Sequence, residues 1–255
     1  MKKNIFIVFI MFCNILFADI KDCSKCAVIK YSEKDIAKIS LLDLKILRNE
    51  IYARHNLIFN NDRLAEYFSQ KYNWYKPKYE SVNDIKLNQV EKHNIQLFLR
   101  KEREKEEMKK IVIKELKILK KAAYNKDKKF LKSIISKQVL EHEQGNNFLD
   151  MFISSISNIF KKIDLDNVNW YGDEGLYKVI TDNGFIVNEI SLKISGNSIS
   201  LSFNDQNHSE LLNDENGDKA FSYGSSYDST IEYNEMFYFE IQNNKIKLVK
   251  FWAAG

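Results

Sequence analysis

Ile190-Ser191-Leu192-Lys193-Ile194-Ser195-Gly196-Asn197-Ser198-Ile199-Ser200-Leu201-Ser202-Phe203 is the stretch that decides the fold class. Apolar and polar residues alternate on both sides of Ser195-Gly196-Asn197-Ser198. A period of two around a turn-forming centre predicts an antiparallel hairpin with one buried face. A second hairpin is predicted from Thr230 to Ile241 and Lys245 to Trp252, turning at Asn243-Asn244. Between the two, Asn204 to Ser229 reads as a long polar excursion.

Upstream of Trp170-Tyr171-Gly172 the period is near 3.6 instead. One helix is expected from Asp127 through Leu140, burying Phe130, Leu131, Ile134 and Ile135. Another is expected from Asn147 to Ile163, burying Phe148, Met151, Phe152, Ile156, Ile159 and Phe160. Helices first and antiparallel strands after them make residues 111–255 an α+β domain. This order of elements resembles the NTF2-like superfamily, which implies helices packed on a curved sheet around a pocket. The resemblance rests on element order, with no motif behind it.

The N-terminal part is helical throughout. Ser40-Leu41-Leu42-Asp43 has the form of a helix start. At about 100° per residue, Leu41, Leu44, Leu47 and Ile51 share one stripe, the expected buried face. Arg48 and His55 fall inside that stripe and so require partners, with Glu91 expected for Arg48. Glu50 and Arg54 stand four apart and read as a surface pair. Asn56 stands where the helix must stop, at a position that suits a left-handed residue. Asn60-Asn61-Asp62 caps a second short helix carrying Leu64, Tyr67 and Phe68. Pro77 keeps Trp74-Tyr75 on an extended connection. Asn88-Gln89-Val90-Glu91 opens a third helix with Asn94, Leu97 and Phe98 at helical spacing. Lys101 to Lys110, with nine charged residues in ten, continues it as a solvated helical linker.

Leu47-Arg48-Asn49-Glu50-Ile51-Tyr52-Ala53-Arg54-His55, Phe59, Tyr67-Phe68, Trp74-Tyr75-Lys76-Pro77 and Leu87-Asn88 to Asn94-Ile95 together resemble the YARHG domain family. The resemblance covers about residues 41–100 and implies an extracytoplasmic accessory domain of the bacterial cell envelope, without an established reaction. The family's name-giving Gly is Asn56 here.

The N-terminus reads as a secretory signal over residues 1–18: Lys2-Lys3, an apolar run from Ile5 to Phe17, and a cleavage point at Ala18-Asp19. The run is too short to span a bilayer, and an uncleaved anchor is the competing reading. Either reading puts the rest of the chain outside the cytoplasm, periplasmic or secreted. Residues 19–39 form a lead segment with Cys23 and Cys26, which an oxidising compartment turns into a local disulfide. No second Cys pair is present to complete a zinc site.

The precursor's net charge of +4 falls to +2 without Lys2 and Lys3, so nucleic acid is not an expected partner. The charges are unevenly spread. Residues 19–162 hold 31 Lys and Arg against 20 acids, and residues 163–242 hold 3 Lys against 15 acids. Surfaces this different attract each other or a charged envelope polymer.

Two functional readings follow. In the first the protein is a non-enzymatic binding or interaction protein, in which Arg48, Tyr52, His55, Trp74 and Tyr75 line a polar and aromatic groove for an envelope polymer such as peptidoglycan, or for an envelope protein. In the second the C-terminal domain is an NTF2-like small-molecule binder or enzyme, with His142 or Glu235 in its pocket. Glu235 shares a strand face with Tyr233, Phe237 and Phe239. Glu141, Glu143 and Asp150 are further carboxylates beside His142. Asp214-Glu215-Asn216-Gly217-Asp218 is similar to the start of a calcium loop, but Lys219 and Ser225 stand where Gly and a bidentate Glu are needed. It reads as an acidic turn. No nucleophile elbow, zinc-protease helix or phosphate loop occurs, so no cofactor or metal is called for.

Overall fold

A computed structural model describes residues 20–143, 147–184, 186–207 and 231–254. The signal-like N-terminus and the acidic turn at 214–218 lie outside the described residues. The chain divides into two compact units, one of Met1–Ile39 with Asp43–Arg100, the other of Ser40–Leu42 with Lys101–Gly255.

The first unit is helical. After the short helix α1 (Glu33–Ile36) come α2 (Leu41–Arg54), α3 (Asp62–Lys71) and the start of α4 (Gln89–Tyr124). Leu44, Leu47 and Ile51 of α2 are buried with Ile36, Ile39, Ile95, Leu97 and Phe98 around the Cys23–Cys26 disulfide. The lead segment is therefore part of the core. Asn94, fully buried, fastens it: its Nδ2 donates to the carbonyls of Cys26 (2.9 Å) and Ile29 (2.8 Å), and its Oδ1 accepts from Tyr31 N (3.0 Å). A second cluster gathers Ala53, Phe68 and Tyr75, with Phe59, Leu64, Tyr67 and Tyr72 around them.

The expected caps are present. Asn61 Oδ1 accepts from Leu64 N at 3.2 Å. Asn88 Oδ1 accepts from Val90 N and Glu91 N, while Glu91 Oε2 accepts from Asn88 N at 2.8 Å, a reciprocal capping box. Asn56 has φ of 60°, the left-handed conformation that favours Gly. Its side chain offsets the strain by accepting from Lys76 N at 3.1 Å, and its carbonyl accepts from Lys78 N and Tyr79 N. The charged stretch Lys101 to Lys110 continues the helix that opens after Asn88, and α4 runs without a break through Tyr124.

The second unit is α+β. Helices α5 (Lys128–Ile134), α6 (Lys137–His142) and α7 (Phe148–Lys162) precede one antiparallel sheet of β1 (Asn169–Tyr171), β2 (Glu174–Asp182), β3 (Ile186–Ser195), β4 (Ser198–Asn207), β5 (Ile231–Gln242) and β6 (Lys245–Ala254), with the strands side by side in chain order. Tyr177, Leu192, Leu201, Phe237 and Phe251 form one cross-strand row. They meet Phe148, Phe152, Ile156 and Phe160 of α7, with Val112, Leu116 and Leu119 of α4 in the same core. The α7·β4 and α6·β6 contacts place these helices on the sheet.

Three expectations are corrected. The single helix over 127–140 is two helices. Ile135 bridges Leu248, and Ser136 N donates to Leu248 O at 2.9 Å, so β6's edge captures the backbone and breaks the ladder. Ser136 then caps α6 by accepting from Val139 N. The sheet also has two strands more than the two hairpins, β1 and β2. Finally, Asn204–Asn207 continues β4 and does not begin the polar excursion, whose residues 208–230 are outside the described ones.

Candidate functional site

The second unit holds a cavity of about 600 Å³ between α7 and the sheet. Ser155, Asn158, Ile159 and Lys162 line it from α7 at helical spacing, and Ile190, Phe203, Tyr233 and Glu235 line it from β3, β4 and β5. Strand register explains the mixture. Glu235 pairs with Phe203 on β4, so the carboxylate occupies a place in an otherwise apolar row. It is 6% exposed. Its Oε1 accepts two hydrogen bonds, from Ser155 Oγ and Tyr233 OH, both at 2.8 Å. No described cation pairs with it, and its Oε2 accepts from no described residue. Burial, and then the bond to Glu235, push the Tyr233 phenol up to about 12. Lys161 Nζ donates to Asn158 Oδ1 at 3.0 Å, and Lys162, exposed at the mouth, makes no ion pair among the described residues.

His142 is not in this cavity. It is exposed on α6, with Nδ1 3.0 Å from Glu143 Oε1. Glu235, placed in a pocket by the second functional reading, is buried and lines this cavity. A second concavity, of about 690 Å³, lies on the other face of the sheet beside Tyr171, Leu176, Lys193 and Tyr238. Among the described residues no group of His, Cys, Asp and Glu is arranged to hold a metal ion.

The first unit has a buried carboxylate of another kind. Glu50 is fully buried, a correction to its reading as a surface residue. Its Oε1 accepts from Arg54 Nε (3.1 Å) and Nη2 (2.6 Å), and its Oε2 accepts from Tyr72 OH (3.0 Å). The Arg54 guanidinium lies 4.7 Å over the Trp74 ring, which stacks on Tyr72 at 4.6 Å. Burial of Tyr72, followed by the charge of Glu50 and the bond to it, raises the phenol to about 12. His55 Nε2 meets Glu91 Oε1 at 2.8 Å, so Glu91 serves His55 as well as the α4 cap. Glu91, expected to answer Arg48, answers His55 and the Asn88 backbone.

Residues 26–103 match the YARHG domain. The match extends the segment recognised by motif, about residues 41–100, back to Cys26 and α1 and forward to residue 103 of α4. The YARHG domain is found in extracellular and periplasmic proteins. No curated protein and no solved structure matches the chain.

Of the five residues expected to line one groove, Tyr52 and Tyr75 belong to different clusters of the YARHG domain. Tyr52 packs on the disulfide cluster, and Arg48 is half-buried on the same helix. Tyr75 is 4% exposed and donates its hydroxyl to Leu57 O at 2.7 Å, so it faces the interior. Trp74, 39% exposed, belongs with Arg54 and Tyr72. Periodicity could not reveal Glu50's role, because its partner Tyr72 comes from the irregular segment after α3.

Tyr72 yields a pH prediction. Its phenol titrates near 10 when unfolded and about 12 when folded, so its contribution to stability is whole below pH 10 and is lost as pH rises through 12. Chemical denaturation across that window should show a smaller alkaline loss in Tyr72→Phe than in the parent. An identical loss would remove Tyr72 from the account.

Proposed function

We propose that this is an extracytoplasmic, non-enzymatic binding protein whose YARHG domain is a rigid structural module and whose ligand site is the Glu235 cavity. The observation that carries the reading is the cavity itself: about 600 Å³, with apolar walls and one buried carboxylate that no described cation neutralises. Small-molecule sites have this character, concave and mostly apolar with a few fixed polar groups. A carboxylate withdrawn from water without a counter-ion lowers stability, and its retention is explained by a ligand that completes it. Ser155 and Tyr233 both donate to Glu235 Oε1, and the described lining of the cavity contains no His or Cys, which favours binding over a reaction. The extracytoplasmic placement is supported by the signal-like N-terminus, the Cys23–Cys26 disulfide and the company the YARHG domain keeps.

A second reading is favoured by Trp74, whose exposed ring backed by Tyr72 and Arg54 is suited to stacking on a sugar. Its partner would be an envelope polymer such as peptidoglycan. Retention of the protein on purified sacculi, lost in Trp74→Ala, would select this reading.

The pocket reading is tested by fragment binding followed by methyl NMR of the mature chain. Small amphipathic fragments are expected to shift the methyl signals of Ile159 and Ile190. Asn158→Trp, at an exposed position on the rim, should cut those shifts by at least half while leaving the fold's dispersion intact. Shifts that are absent, or indifferent to Asn158→Trp, would overturn the reading.

A further inference from the structure

We infer that the Glu235 cavity receives a small zwitterion, with its primary ammonium on Glu235 and its carboxylate on Lys162. The inference rests on the pocket reading above and names its ligand class. Three observations meet in it.

The first is the incomplete neutralisation of Glu235. Its two donors among the described residues are hydroxyls, and both are spent on Oε1. No described donor reaches the second oxygen. A donor that also carries positive charge gains most there, because a charge-assisted bond is about twice as strong as a neutral one, and more so out of water. An ammonium fits, with three protons for Oε2 and the surrounding acceptors.

The second observation is the opposite charge at the mouth. Ser155, Asn158, Ile159 and Lys162 stand at i, i+3, i+4 and i+7, one face of α7. Seven residues of helix advance roughly 10 Å. The face therefore carries a carboxylate contact at Ser155 and a cation two turns further on, while Lys161, the other lysine of the lining, donates to Asn158 Oδ1. A simple amine would meet Lys162 as a like charge. A simple carboxylate would meet Glu235 as one. A molecule with both charges, held apart, satisfies each end and is repelled by neither.

The third is what lies between. Ile159, Ile190 and Phe203 supply apolar wall along the path, so the spacer joining the two charges is itself apolar or weakly polar. Lys162, with its flexible stem and no ion pair among the described residues, adapts to the length.

The probe is 6-aminohexanoate, whose charges are separated by an extended apolar chain, compared with hexylamine, hexanoate and hexanol by calorimetry and methyl NMR on the mature chain. The expected order is 6-aminohexanoate tightest, hexylamine at least tenfold weaker, hexanoate weaker still. Glu235→Gln, which keeps the acceptor for Ser155 and Tyr233, should weaken 6-aminohexanoate at least tenfold. Lys162→Gln should weaken 6-aminohexanoate about tenfold and leave hexylamine unchanged or tighter. Hexanol binding as well as 6-aminohexanoate, with no response to either variant, would keep the pocket and discard the zwitterion. Perturbation of Ile159 and Ile190 by none of the four probes would discard both. Circular dichroism of each variant, matching the parent, ties these outcomes to binding and not to folding.

Discussion

A carboxylate taken out of water must be met by donors, and the manner in which it is met separates structure from function in this chain. Glu50 and Glu235 are both nearly inaccessible. Glu50 has a guanidinium fork and a phenol, so both oxygens and the full charge are answered from within the fold. Glu235 has two hydroxyls on one oxygen. Breaking a buried pair costs about 3–5 kcal/mol, whereas a buried charge that is only partly answered lowers stability as it stands. The first carboxylate belongs to folding. The second is the one that the proposed ligand would complete.

The same constraint organises the YARHG domain beyond Glu50. Glu91 answers His55 with one oxygen and the α4 backbone with the other, which ties the end of α2 to the start of α4. Asn94 answers three backbone groups of the lead segment. Helices this short are marginal alone, and their stability comes from packing together with such ties. The residues that make the sequence recognisable are thus mostly those that a small core, rich in aromatic and charged side chains, cannot do without.

This explains which parts were legible in advance. The α2 stripe, the caps at Asn61 and Asn88, the left-handed end at Asn56 and both hairpins follow from local rules, because each is set by residues within a few positions of one another. Strand β2 was hidden because Leu176 and Ile180 are apolar yet exposed, which blurs the alternation that Tyr177 and Val179 would otherwise show. The break at Ile135 depends on β6, more than a hundred residues away. Glu50 reads as a surface residue because its i+4 partner suffices for that reading; the bond from Tyr72, supplied by the segment after α3, is a tertiary contact that the local pattern does not contain. Glu235 was the reverse case. Its neighbours Tyr233, Phe237 and Phe239 at spacing two already placed it inward, and only Ser155, contributed by α7, required the tertiary structure.

The contrast between the two carboxylates can be measured directly as the unfolding free energies of Glu50→Gln and Glu235→Gln against the parent. Removing the charge of Glu50 strands the Arg54 guanidinium and should lower stability by about 3 kcal/mol. Removing that of Glu235 relieves an unneutralised burial while keeping its acceptor oxygen, so stability should hold or rise, as it does when a residue kept for binding is replaced. A loss at Glu235 as large as the loss at Glu50 would make it another structural carboxylate and contradict the account.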